Sequence, residues 1–405
     1  MLSVVIPTYN RKDLLLKCLT GLLHQTASKS SYEIIVVDDG STDKTELAVN
    51  AFMASSDVAI KYIKHEKNKG PAAARNSGTM ISQGDVVLYT GDDTVAAPNL
   101  LEEHLKWHQK RPGKEIAILG HTAWARDVKV TPFMEYLETG PQFAYQSIAD
   151  PYNAQYYYFY TTNISLKKDF LNAHGYFDEN FKLAMWEDTE LGYRLSKRGL
   201  KIIYNKDAVV YHHHATNINN FLIRQYNAGR YAVLFMSKHQ ELGNFLSPHL
   251  LNPLLLLSDD QFRTLVEQLN NTDKDICTNK LSSDIKSLLF LLYELLCRAS
   301  RDRGFLDEFG SPELVQDENF FHGLRESAEV LNRFPITLPE ILLFVLKEHD
   351  AQIRQKVKDN DDQINSMLNS WSWKLTAPLR GFRKFAEHIA AKSLFKLKRD
   401  YKRVD

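Results

Sequence analysis

Four short stretches place residues capable of chemistry directly after apolar runs. Val36-Val37-Asp38-Asp39-Gly40-Ser41 ends a β-branched run in two carboxylates. A strand end of this kind points into the ligand crevice of an open α/β sheet, where a carboxylate accepts hydrogen bonds from a base or a ribose. In Leu88-Tyr89-Thr90-Gly91-Asp92-Asp93 two adjacent acids follow a second such run. Together they can share a divalent cation and a ribose, because Mg2+ or Mn2+ needs few protein carboxylates when diphosphate oxygens and water complete its shell. Trp186-Glu187-Asp188 opens a stretch of helical length and offers a general base for an acceptor hydroxyl. Tyr211-His212-His213-His214 closes another apolar run and offers a nitrogen ligand, His212 or His214, for the same ion. Singly, such acids are also ordinary turns, caps and dipole-matched first turns. Their succession at strand ends of one sheet is what points to a site.

The elements that must position these residues read as βα units. Strands are expected over 3–9, 33–37, 60–65 and 85–89, with helices over 11–25, 44–54 and 71–82, the last beginning at Pro71 as a proline-led helix does. Nearly all-apolar strands predict a mostly parallel sheet covered by helices on both faces. Further on, a helix over 98–109, a strand over 116–121, a helix over 187–198 ended by Gly199, and strands over 201–204 and 209–211 are expected. Between them lies an irregular aromatic stretch with Tyr145, Tyr152, Tyr156, Tyr157, Tyr158 and Tyr160, a candidate platform for an acceptor or else core. β-Branched runs stop near 215–240 and leucine-rich helical patterns take over, giving a first domain over 1–218 and a helical region over 219–345.

Lys and Arg together number 50, as do Asp and Glu, so there is no global field to draw in nucleic acid. Cys18, Cys277 and Cys297 have neither paired nor metal-ligand spacing, which fits a reducing cytoplasm. The first residues read as a strand, not a signal peptide, because Pro7 interrupts the apolar run. No run approaches the roughly 18 apolar residues of a membrane span.

Over residues 3 to about 215 the order of motifs resembles the family 2 glycosyltransferases of the GT-A fold. Val4-Val5-Ile6-Pro7-Thr8-Tyr9-Asn10-Arg11 is similar to that family's opening strand and nucleotide-binding turn, and the Asp38-Asp39 stretch to its second-strand motif. Asn68 to Gly78, with Gly70, Ala74, Arg75 and Asn76, resembles its donor-phosphate helix. The resemblance implies Pro7, Thr8, Tyr9, Arg11, Asp38, Asp39, Arg75 and Asp92 as donor-binding residues, with Asp39 at the base. It implies Asp93 and His212 as ligands of Mg2+ or Mn2+, and Asp188, beside Glu187, as the base of an inverting transfer to a glycan hydroxyl. Gly91 departs from the family's acidic first metal-motif position, which leaves Asp93 as the direct ligand and Asp92 for the ribose. A nucleoside-diphosphate sugar, UDP or dTDP first, is the implied donor.

Ile6 to Lys12 contains no glycine, which excludes the phosphate loop of a nucleotidyltransferase and the dinucleotide fingerprint of a dehydrogenase. The alternative outside enzymology is an inactive scaffold acting through its C-terminal part. Heptad spacing over 346–370 gives a candidate short coiled coil and homo-oligomer contact. The tail over 371–405 carries ten basic and three acidic residues beside Phe382, Phe385 and Ile389. It reads as an amphipathic helix for the anionic inner face of the cytoplasmic membrane, where a lipid-linked acceptor would sit. Trp371 to Arg380 resembles a segment that follows coiled coils in bacterial polysaccharide glycosyltransferases.

Overall fold

The computed structural model describes residues 1–242, 259–275 and 283–310, together with Leu254. The heptad stretch 346–370 and the basic tail 371–405 lie outside the described residues. The elements below all belong to one compact unit formed by residues 1–248 and 257–316.

Eight strands form one sheet: β1 (Leu2–Thr8), β2 (Tyr32–Asp38), β3 (Ala59–Lys64), β4 (Val86–Thr90), β5 (Thr94–Ala96), β6 (Ile116–Trp124), β7 (Asn163–Lys167) and β8 (Lys201–His212), in the order β3-β2-β1-β4-β7-β6-β8-β5. Strands β3, β2, β1 and β4 run parallel, as do β6 and β8. β7 runs antiparallel to both β4 and β6, and β5 antiparallel to β8. The sheet is therefore mixed, with antiparallel β7 joining two parallel groups.

Alternation along β1 explains why both faces are covered. Val4 and Ile6 pack with Leu15, Leu19 and Leu22 of α1 (Lys12–Leu23) and with Leu100 and Leu101 of α4 (Leu100–Lys110). Val5 faces the other way, to Ala72 and Ala74 of α3 (Pro71–Ile81) and a cluster reaching Leu191 and Leu195 of α7 (Glu187–Ser196). Helices α2 (Thr45–Ala54), α5 (Pro132–Thr139) and α6 (Lys168–His174) complete the strand-bearing part. The strand pattern gives way to α8 (Ile218–Lys238), α9 (Asp259–Asp275) and α10 (Ser283–Gly310). Among the described residues no helix is long and apolar enough to cross a membrane.

Two expectations need correction. The two strands over 201–204 and 209–211 are one, β8, whose register against β6 shifts between Gly120 and His121, so that exposed Lys206 and Asp207 sit in a bulge. β7 follows the irregular aromatic stretch in a segment where no strand was expected. The aromatic stretch divides: Phe143, Tyr145, Tyr158 and Phe159 are buried, Tyr156 and Tyr160 half-buried, and Tyr152 and Tyr157 exposed. It covers the β6–β7 part of the sheet, joining the same cluster as Ala117, Leu119, Ile164 and Leu166.

Candidate active site

The ends of β1 and β4 converge with the end of β8 on one acidic cluster. Thr8, the last residue of β1, donates its hydroxyl to Asp92 Oδ2 at 2.8 Å. Arg11, one residue before α1, donates Nη1 to Asp92 Oδ1 at 3.2 Å and to Asp93 Oδ2 at 2.9 Å. The three-residue strand β5 brings in the histidine: its pairing sets Thr94 opposite His212, and His213 N donates to the Asp93 carbonyl at 2.8 Å. His212 Nε2 thereby lies 3.4 Å from Asp93 Oδ2, its ring 5.3 Å from Trp124 and 6.0 Å from Phe143.

The electrostatics of the two acids diverge. Burial acts to raise Asp93, but His212, Arg11 and His214 outweigh it and hold its carboxyl far below the usual range. Asp92 is pushed upward by burial and by the charge of Asp93, against Arg11 and Thr8.

A second acidic pair forms where α3 meets the start of α7. Arg75 Nη1 donates to Glu187 Oε1 at 2.8 Å, and both side chains are buried. Glu187 Oε2 and Arg75 Nε are buried without a hydrogen-bond partner. Burial raises both Glu187 and Asp188, the neighbouring charge of Asp188 raises Glu187 further, and Arg75 opposes both shifts. Asp188 is half-buried, and its Oδ1 accepts from Thr189 N at 2.7 Å. An aromatic path links the pairs: Asp188 acts on the Tyr160 phenol, Tyr160 lies 6.3 Å from Phe143, and Phe143 touches His212. From α8, the charge of exposed Arg224 acts on both Asp188 and His214.

Asp38 and Asp39 sit at the expected strand end with their oxygens already engaged. Asp38 is fully buried, accepting from Ser41 N at 2.7 Å and from the Tyr62 hydroxyl at 2.5 Å. Asp39 accepts from Lys69 N at 2.9 Å and Gly70 N at 2.8 Å, and faces His65 Nδ1 at 2.7 Å. Both shape turns, and Asp39 fixes the approach to α3. Gly70 is required there: it has φ +95°, and a Cβ would fall 2.6 Å from the Lys182 carbonyl oxygen. Pro7 is half-buried, whereas Tyr9 is exposed at the mouth of the β1 turn. His65, which reaches Ser77 of α3 through Nε2 at 2.9 Å, was not expected from sequence. Its only signal was its place at the end of β3, beside the Asp39 strand end. An open cavity of about 430 Å³ lined by Lys114, Asp169, His174 and Arg198 lies at the opposite ends of β6 and β8 and holds none of these residues.

Residues 3–189 match Glycosyl transferase family 2. Among curated relatives, validoxylamine A glucosyltransferase of Streptomyces hygroscopicus subsp. limoneus is 28% identical over 276 residues, covering 60% of this chain and 57% of that protein. Poly(ribitol-phosphate) beta-glucosyltransferase of Bacillus spizizenii is 35% identical over 107 residues, 26% of this chain and 16% of that protein. The chain thus spans little more than half the length of the first of these and a sixth of the second. Among solved structures, residues 1-349 of S. aureus TarS superpose with a TM-score of 0.47 at 19% identity, covering 76% of this chain and 91% of that one. The motif order, the mixed sheet with its flanking helices and the family match agree: this chain carries a family 2 glycosyltransferase domain of the GT-A type over residues 3–189.

Proposed function

We propose that the chain transfers a sugar with inversion from a nucleoside-diphosphate donor, UDP or dTDP first, to a hydroxyl of a glycan acceptor. The observation that carries this reading is the pair of acidic clusters, with Asp93 held low beside Arg11 and His212 and Asp188 raised by burial, joined by the Tyr160–Phe143–His212 path. Asp188 takes the proton of the acceptor hydroxyl as its oxygen bonds to the anomeric carbon and the bond to the diphosphate breaks. Burial raises the affinity of Asp188 for protons, the direction a general base needs. Glu187, held by Arg75, orients the start of α7.

The donor set fits a hard cation. Asp93 Oδ2 and His212 Nε2 converge, Asp93 is held ionised, and among the described residues no third His, Cys, Asp or Glu completes a closed cage. Asp93 and His212 would therefore hold Mg2+ or Mn2+ with diphosphate oxygens and water filling the shell, and the ion would neutralise charge on the departing diphosphate. Thr8 and Arg11 fix Asp92 beside it, where Asp92 meets the ribose. The amides at the start of α3 and the guanidinium of Arg75 line the phosphate side.

In this reading the tail over 371–405 holds the enzyme at an anionic membrane carrying a lipid-linked acceptor, and 346–370 joins copies of the chain. The test is titration of the full chain with UDP-, dTDP-, GDP- and CMP-sugars, with and without Mg2+ or Mn2+, followed by NMR assignment of the product anomer. Retention of configuration, or the absence of any cation-dependent nucleotide binding, would defeat the proposal.

A further inference from the structure

Helix α8 lies wholly outside the family match, yet it grips α7, the helix that opens with Glu187 and Asp188. The grip begins one residue earlier. Trp186 has φ +68° and ψ −16°, the left-handed conformation that bulky side chains rarely adopt and that persists only where the surroundings over-determine it. Here they do. The indole Nε1 donates to the Ala228 carbonyl of α8 at 2.7 Å, and the ring lies 5.1 Å from Phe235, about two α8 turns further. Along α7, Tyr193 packs on Phe235 at 6.1 Å and on His239 at 4.8 Å, and His239 Nε2 meets Glu190 Oε1 at 3.0 Å.

α8 is in turn fixed from behind. It crosses α10 at reciprocal glycines: a Cβ on Gly229 would fall 1.8 Å from the Arg301 carbonyl oxygen, and one on Gly304 1.8 Å from that of Tyr226. Arg230 pairs with Glu308 at 2.9 Å, and the Ser300 hydroxyl donates to the Leu222 carbonyl at 2.7 Å. The turn that presents Asp188 is therefore referenced to a rigid two-helix layer, not to the sheet alone.

We propose that Trp186 is a positioning residue: through its hydrogen bond to Ala228 and its tilted ring contact with Phe235, α8 sets the direction in which Asp188 faces the acceptor hydroxyl. This rests on Asp188 being the general base. Trp186 itself touches no reacting atom; it fixes the backbone from which the base projects. An error of about 1 Å in such a group costs on the order of a hundredfold in rate, so a small rotation of this turn is enough to be measured.

Three variants of the full chain test it. Trp186→Phe keeps an apolar ring and removes the N–H, Phe235→Leu keeps apolar volume and removes the ring face, and Asp188→Asn removes the base. Turnover, donor affinity by isothermal titration and melting temperature are measured for each. Trp186→Phe is expected to lower kcat about tenfold with donor Kd within about twofold and the melting curve nearly unmoved. Phe235→Leu should give the same signature, smaller. Combined with Asp188→Asn, Trp186→Phe should add less than about twofold to the loss of residual transfer in long incubations, because it acts through the base. A wild-type kcat in Trp186→Phe overturns the proposal, as does a loss shared equally by kcat, donor affinity and melting temperature, or one undiminished beside Asp188→Asn. Near-normal turnover in Asp188→Asn alone removes the base assignment instead, an outcome separate from the others.

Discussion

Asp92–Asp93 and Glu187–Asp188 are each two neighbouring acids, but their surroundings differ in kind. Around Asp93 stand Arg11, His212 and His214, and the carboxyl is held ionised. Around Glu187 the hydrogen-bonding cation is Arg75, burial dominates, and both acids of that pair are pushed toward retaining a proton. Each pair has an arginine at hydrogen-bonding distance, Arg11 or Arg75; histidines are added beside Asp93, while burial prevails at Asp92, Glu187 and Asp188. The first arrangement suits a permanent negative charge that meets a metal and a diphosphate. The second suits a group that accepts a proton and can give it up again.

The sharpest way to break this contrast is Asp188→Asn. Removal of a general base is expected to lower turnover by about 10²- to 10⁴-fold while donor affinity stays within a few-fold. Turnover assays beside calorimetry decide it; a variant with near-normal kcat would merge the two pairs into one electrostatic group. Asp93→Ala acts on the other side. It should weaken donor binding in the presence of Mn2+ by about tenfold or more and leave cation-free binding nearly unchanged. Mn2+ electron paramagnetic resonance gives a readout independent of activity, and unaltered Mn2+ affinity in the variant would contradict the assignment. Asp92→Ala should disturb the metal signal less.

Much of this site was legible because parallel-strand ends announce themselves: apolar β2 and β4 each run into an acidic turn, so Asp38, Asp39, Asp92 and Asp93 stand out from the sequence alone, whereas Thr8 was marked only by the family resemblance. β7 was not legible, for a physical reason. Its Asn163 and Ser165 are fully buried, and their polarity is satisfied by His104 and His108 from α4. His104 Nε2 meets Asn163 Oδ1 at 2.9 Å, its Nδ1 meets Ser165 Oγ at 2.7 Å, and His108 Nε2 meets the same hydroxyl at 2.8 Å. A five-residue strand with Ile164 and Leu166 on one face and polar residues on the other, whose partners lie some 60 positions away, lacks the continuous apolar run that marks β1, β2 and β4. Nor could Trp186 be read, since its partner is a backbone carbonyl, which sequence does not encode.

That histidine layer supplies the smallest predicted effect. Burial lowers His104 to about 4 and His108 to about 3, whereas an unfolded histidine titrates near 6.5. Between these values the unfolded chain binds the additional protons. The stability carried by the neutral pair is therefore complete above about pH 6.5 and is lost as pH falls toward 4. His108→Gln keeps an amide for Ser165 and removes one titration. Its melting temperature should fall less steeply than that of the wild type between pH 7 and pH 5, by a few degrees at most. Parallel curves would show that His108 does not titrate on unfolding.

The reciprocal glycines of α8 and α10 have a consequence for how the molecule opens. Two helices whose backbones touch at Gly229 and Gly304 cannot separate by degrees, because partial separation forfeits the contact and leaves both glycines in open helix, where they favour unwinding. The pair should come apart as a single foldon, and α7, stapled to α8 at Trp186 and Glu190, should belong to it. In deuterium exchange the buried amides of α7 would then share one opening free energy with those of α10, so that a fluctuation far along the chain reaches Asp188 without any ligand to carry it.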